Sequence, residues 1–172
     1  MTSSVDQVVL ANVRDIFCNN PDFFTSLKAI VDASSDVSSR LVEYFVTQHS
    51  KEEPYLYKDG QGNTINLYQA YSMQLKAYGK RLFDPFRRGS NKFEFRCGED
   101  TVNTTVGQLF FYSWFFKTGA MEHLSKKSVR EKVNERMLTS YKESGYVSSV
   151  GKKKRVSPKK GCVMPPSNLL VF

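Results

Sequence analysis

Six cations near the end of the sequence, Lys152, Lys153, Lys154, Arg155, Lys159 and Lys160, carry the clearest chemistry in the chain. Clustered ammonium and guanidinium groups neutralise phosphates and release their counterions, which gives affinity for nucleic acid without reading its sequence. The same run also reads as a nuclear-targeting signal, a contact with a neighbouring subunit, or a solubilising tail. Ser157-Pro158 within it suits phosphorylation, and a phosphate there would weaken anion binding. A second cationic group, Lys80, Arg81, Arg87 and Arg88, gathers where a helix should end, with Tyr78, Phe83 and Phe86 close enough in sequence to stack on bases. The plainer reading makes these aromatics core and these cations the complement to the helix's negative end.

Catalytic chemistry is harder to place. Cys97, His49, His123, Asp84 and Glu94 are the candidates by type. They show no Ser-His-Asp or Cys-His order and no paired-carboxylate motif, so the expectation is a protein that is not an enzyme. Cys18, Cys97 and Cys162 are widely spaced, and only His49 and His123 could join them around a metal. A zinc site needs about four ligands in paired spacing, so neither a metal nor a cofactor is expected. The thiols read as buried or inert in a reducing compartment. Gly60 and Gly62 lack the Lys-Ser/Thr pair of a phosphate-binding loop and read as a hairpin turn.

The distribution of charge matters more than its size. The net charge is +8, but of 25 basic residues six lie in 146–172, where there are no acidic ones. The rest of the chain holds 19 basic against 17 acidic residues. A nearly neutral body with a basic arm is therefore expected, with 1–145 as a single mainly helical domain and 146–172 as an extended tail. A hydrophobic fraction of 40%, with 13 Phe and 9 Tyr, is enough for an aromatic core. The first residues, MTSSVDQ, show no basic start or long apolar run, so no signal peptide is read there. No apolar stretch approaches the ~20 residues of a membrane span.

The elements that must position these groups follow from periodicity. Residues 5–18 predict a helix with Val5, Val8, Val9, Val13, Ile16 and Phe17 on one stripe. Asn20 and Pro21 should start a second helix, and Ser34-Ser35-Asp36 a third with Val37, Leu41, Tyr44, Phe45 and Gln48 along one face. Tyr55-Leu56-Tyr57 and Thr64-Ile65 should form a hairpin. Asn66 should cap a central helix faced by Leu67, Tyr71, Leu75, Tyr78 and Leu82 and ended by Asp84-Pro85. Residues 92–97 alternate strictly, which predicts a strand whose natural partner is the 55–65 hairpin, with a turn at Gly98-Glu99-Asp100. Thr104 or Thr105 should cap a very apolar helix, 106–118, that Gly119 stops. Phe110, Phe111, Trp114 and Phe115 cover so much of this helix that they are buried either by the chain's own fold or by a partner subunit. Ser128 with Glu131 should open a last, charged helix to about Ser144.

Several segments together resemble a family of small proteins encoded by large double-stranded DNA viruses. They are 39–51 (SRLVEYFVTQHSK), 66–71 (NLYQAY), 74–78 (QLKAY), 83–88 (FDPFRR) and 104–109 (TTVGQL). The resemblance spans roughly residues 39–120, and Arg87 stands where that family often carries Cys. It implies a small viral protein packaged in the particle, and it brings no catalytic residues. The expectation is thus an α+β fold, mainly α: a helical bundle with a small antiparallel sheet and a basic C-terminal arm. The expected role is structural or in assembly, in the virion or in the host cytoplasm or nucleus during infection. The arm would contact nucleic acid or other virion subunits, and the chain would form a homo- or hetero-oligomer. The alternative is a freestanding nucleic-acid-binding regulator.

Overall fold

A computed structural model of the chain describes residues 4–86 and 91–145. Arg87, Arg88, the basic run at 152–160 and the tail expected from 146 lie outside the described residues. Within them the protein is mainly helical, with two small antiparallel hairpins.

Helix α1 (Ser4–Cys18) turns Asp6, Val9, Val13 and Phe17 inward, a spacing of three and four residues. The expected stripe was too wide. Val5 and Val8 fall beside this face and stay 51% and 64% exposed. Helix α2 (Pro21–Val31) begins at its proline as expected, but Asn20 does not cap it. The Asn20 side-chain amide instead donates to the Ile16 carbonyl at 2.7 Å and closes the end of α1. Helix α3 (Ser39–Tyr44) starts later than expected. Ser38 caps it by accepting the Leu41 N–H, and Ser35 accepts the Val37 N–H within the preceding turn. The helix then widens into a π-helical turn, Phe45–His49, before the short α4 (Ser50–Glu52). The buried Ser50 hydroxyl donates to the Phe45 carbonyl at 2.7 Å and ties this turn.

Strands β1 (Leu56–Lys58) and β2 (Thr64–Asn66) form the expected hairpin, with Tyr57 opposite Ile65. Its turn is organised by Asp59, whose carboxylate accepts the Gln61 and Asn63 N–H groups at 2.9 Å each. The expectation that 92–97 would extend this hairpin is overturned. Strand β3 (Phe93–Cys97) pairs with β4 (Asp100–Thr104), Phe95 opposite Val102, and the two hairpins are separate sheets. The turn at Gly98 (φ +62°) returns the chain at once, so the nearest strand takes the free edge of β3 before a distant one can. Phe95 and Val102 are buried, and Thr104 is fully so.

Helix α5 (Leu67–Phe83) is capped by Asn66, which accepts the Gln69 N–H. Helix α6 (Val106–Lys117) opens on a complete capping box. The Thr105 side chain accepts the Gln108 N–H, and the Gln108 side chain accepts the Thr105 N–H. Leu109, Phe111, Tyr112, Phe115 and Phe116 of α6 are buried in the chain's own core. Gly119 (φ +71°) links α6 to a short helix not foreseen, α7 (Ala120–Ser125). Helix α8 (Lys127–Glu143) starts one residue before Ser128, so the expected Ser128–Glu131 box does not form. Lys126 occupies the cap position without a side-chain bond. Val133 and Met137 are its buried contacts.

Two local constraints hold this arrangement. At the first turn of α6, a side chain on Gly107 would place its Cβ 2.9 Å from the Asp84 carbonyl oxygen and 3.5 Å from that of Arg81. The absence of a side chain therefore sets how closely α6 approaches the end of α5. The second constraint is a disulfide joining Cys18, at the end of α1, to Cys97, at the end of β3, with Cα atoms 5.2 Å apart. It overturns the reading of both as inert thiols. Their separation of 79 residues hides the pairing from sequence spacing.

Two outcomes follow. Gly107→Ala forces backbone apart rather than a flexible side-chain tip, and overpacking of this kind costs about 1–3 kcal/mol; denaturant titration should show a lower midpoint with an unchanged slope. Replacing Cys18 and Cys97 by Ala should cost about 2–5 kcal/mol, read as a lower melting temperature under oxidising conditions and none of that difference once wild type is reduced.

Candidate functional site

The chain has two histidines, and the fold brings both to one aromatic pair. His49, at the end of the π-helical turn, stacks on Phe45 with ring centroids 5.5 Å apart. His123, on α7, lies 6.2 Å from Phe45 and 4.9 Å from Tyr55, whose ring is itself 5.9 Å from Phe45. His49 is 6% exposed, and its Nδ1 is buried without a hydrogen-bond partner. Its Nε2 lies 3.7 Å from Glu53 Oε2, beyond hydrogen-bond length. Glu53 is meanwhile held by α8, with Lys132 at 2.8 Å and Arg136 at 2.6 Å. Burial holds the His49 imidazole below its ordinary value near 6.5; Glu53 opposes that shift, and Arg136 and Lys132 add to it. Burial also lowers His123, helped by Lys126. The Glu53 carboxyl is held low chiefly by the hydrogen bond from Lys132.

A π-helical turn is rare and frequently marks a functional position. A buried ring nitrogen without a partner is equally uncommon. Both fall on His49. No three of the His, Cys, Asp and Glu side chains among the described residues converge as metal ligands.

The second feature is a groove of about 400 Å³ between α1 and the aromatic side of α5 and α6. Val5, Val8, Val9 and Asn12 form one wall, and Tyr78 and Phe110 the other. Tyr78 is 43% exposed and meets Phe110 edge-on at 4.7 Å. Helix α5 breaks immediately after Tyr78: Gly79 takes φ +70° and ψ 167°, outside the helical region. The break turns Arg81 toward α1, where it bonds the Asp6 carboxylate at 2.7 Å. Asp6 is buried despite its charge, and this pair explains how. The expected cationic knuckle is thus only partly free among the described residues. Arg81 is engaged by α1, and Lys80 is exposed.

The remaining candidates scatter. Asp84 caps the turn after α5 by accepting the Phe86 N–H at 2.9 Å. Glu94 pairs with Arg96 on the exposed face of β3. Cys97 is consumed by the disulfide, which removes it as a thiol nucleophile. Of the aromatic set on α6, Phe111 and Phe115 are fully buried within the fold, while Phe110 and Trp114 keep an exposed edge. Tyr112 is buried too. Its hydroxyl bonds Ser39 at 3.3 Å, and burial pushes it up to about 12.

A family model described as a family of unknown function, DUF7197, matches residues 1–158. The chain belongs to that family. It is also 25% identical, over 137 residues, to an uncharacterized protein of Acanthamoeba polyphaga mimivirus. That match covers 74% of this chain and 53% of the mimivirus protein, so the chain spans about half the length of this relative. A viral origin is suggested. No solved structure matches the chain significantly. None of the described helices is long and apolar enough to cross a membrane.

The break at Gly79 can be tested by itself, because a Cβ there would meet nothing within 4 Å. Its backbone angles lie in a region open essentially to glycine alone. Gly79→Ala should therefore cost about 1–3 kcal/mol through backbone strain, without any clash. Thermal unfolding should show the loss, and Lys80→Ala should show almost none.

Proposed function

We propose that the chain is a non-enzymatic structural or assembly protein of a large DNA virus particle. In this reading a compact body makes protein contacts and the basic run at 152–160 anchors nucleic acid or a neighbouring subunit. The observation that carries this reading is the partition of charge. Within the body, cations meet acids: Arg81 with Asp6, Lys132 and Arg136 with Glu53, Lys28 with Asp100, Arg130 with Asp36. Apart from the pair at the buried Asp6, these are surface pairs that add little stability, but together they leave the body close to electrical balance. The unbalanced charge is concentrated in Lys152, Lys153, Lys154, Arg155, Lys159 and Lys160. The apolar groove with its exposed valines offers the body a surface for such a contact.

A freestanding nucleic-acid-binding regulator is the second reading. The exposed ring of Tyr78 next to the exposed Lys80 favours it, as an aromatic and a cation together suit single-stranded bases.

One binding experiment separates them. Full-length protein is titrated with random duplex DNA and with defined sequences across a salt series, beside a full-length variant with the six cations of 152–160 changed to Gln. The anchor reading expects wild type to bind without sequence preference. Its logarithmic salt slope should lie near −0.9 for each phosphate neutralised, about five in total if most of the run engages. The variant should lose most of that slope. Undiminished binding by the variant, or a strong sequence preference, would move the function to the body and favour the regulator.

A further inference from the structure

We propose that the two-histidine cluster is an acid-sensitive latch, which holds α7 and α8 against residues 45–55 while both rings are neutral and releases them when the rings charge. This goes beyond the proposed function and does not depend on it.

His49 carries the decisive atoms. A neutral imidazole has one N–H and one bare nitrogen, and burying the bare nitrogen without a partner costs far less than burying an unpaired charge. A protonated ring has two N–H groups. The Nε2–H can turn toward Glu53, 3.7 Å away. The Nδ1–H has no such option: it sits at a buried position with no hydrogen-bond partner, on a ring stacked against Phe45. A buried donor left unpaired in this way is strongly disfavoured, and only movement of the ring to solvent relieves it.

The groups around the cluster do not compensate. From α8, Lys132 and Arg136 face His49 and repel the new charge, and they already occupy Glu53. Glu52, the last residue of α4, and Glu53, just after it, are the attracting groups. Helix α3 brings Tyr44, and α5 brings Tyr68, whose ring is covered by Lys51 at 5.9 Å. On α7, His123 has Lys126 near it, and Glu122 acts on Tyr55. Phe45 touches both histidines and Tyr55 packs on Phe45 and His123, so charging either ring disturbs the packing of the other.

The direction in pH follows. Both rings are held below their ordinary value in the native fold, so the unfolded or opened chain binds more protons as the pH falls through about 6.5. The closed state is fully favoured above that pH and is lost progressively below it. Carboxylate-driven unfolding would begin only near pH 4, well below this window.

Hydrogen exchange of the α7 and α8 amides tests the latch. In the full-length wild type, protection corrected for intrinsic exchange should fall at least about tenfold between roughly pH 7.5 and pH 5.5, while α6 stays protected. The double variant His49→Phe, His123→Phe keeps the aromatic packing but cannot charge, and should change less than about twofold over the same interval. The latch is overturned if the double variant opens like wild type, or if wild type stays closed until carboxylates titrate. Should the double variant not fold, wild type alone decides. With two histidines in the chain, proton NMR resolves both rings. Titration of His49 below 6.5, together with loss of α8 protection, supports the latch; titration at or above that value with α8 undisturbed removes it.

Discussion

The fold depends on covering α6. Its Phe83-facing and Phe17-facing sides are both aromatic, so most of the helix must be covered, with only the edges of residues such as Phe110 and Trp114 and the end at Lys117 left to water. Phe111 lies 5.5 Å from Phe83, 5.6 Å from Phe86 and 5.7 Å from Trp114, while Phe116 meets Phe17 and Phe23 at 6.2 and 5.4 Å. Edge-on and tilted contacts of this kind add to the area they bury. Helices α1, α2, α5 and α7 are accordingly laid around α6, and the hairpin β3–β4 is drawn in through Phe95 against Phe17. Gly107 fixes the approach of α6 to the end of α5, because there the partner is backbone rather than a side chain that could yield.

Most of this was legible from periodicity. The helical positions of α1, α2, α5, α6 and α8, the Asn66 and Thr105 caps and the first hairpin all follow from local chemistry. Where two local solutions competed, periodicity alone did not choose between them. Asn20 could cap α2 or close α1, and it closes α1. Strand β3 could pair with the earlier hairpin or with the segment just after it, and proximity along the chain won. The stripe on α1 offered more apolar positions than one face can bury, and the surplus valines became the wall of a groove.

The candidate site was much less legible. No local pattern announces a π-helical turn, and nothing in the spacing of His49 and His123 brings them to the same phenylalanine. The buried Asp6 was hidden for a similar reason: its partner, Arg81, is 75 residues away, and the sequence offers the arginine as a surface cation. One signal of this geometry does lie in the sequence. Gly79 interrupts an otherwise regular helical pattern, and a lone glycine there suggests that the backbone departs from the helix. That departure is what aims Arg81 at α1 and leaves Tyr78 at the rim of the groove.

The bond between Cys18 and Cys97 also changes the connectivity of the molecule. Residues 19–96 form a covalently closed ring, with α1 and everything after β3 attached at its junction. A protease that cuts once within that ring, in the turn between β1 and β2 for example, opens it without separating any part of the protein. The two ends stay joined through sulfur, and the helices packed on α6 remain at high effective concentration. A cut after β4 has no such safeguard and divides the chain in two. The molecule is thus armoured against single nicks between Cys18 and Cys97, whereas α1 on one side and β4 to α8 on the other are held by packing and hydrogen bonds alone.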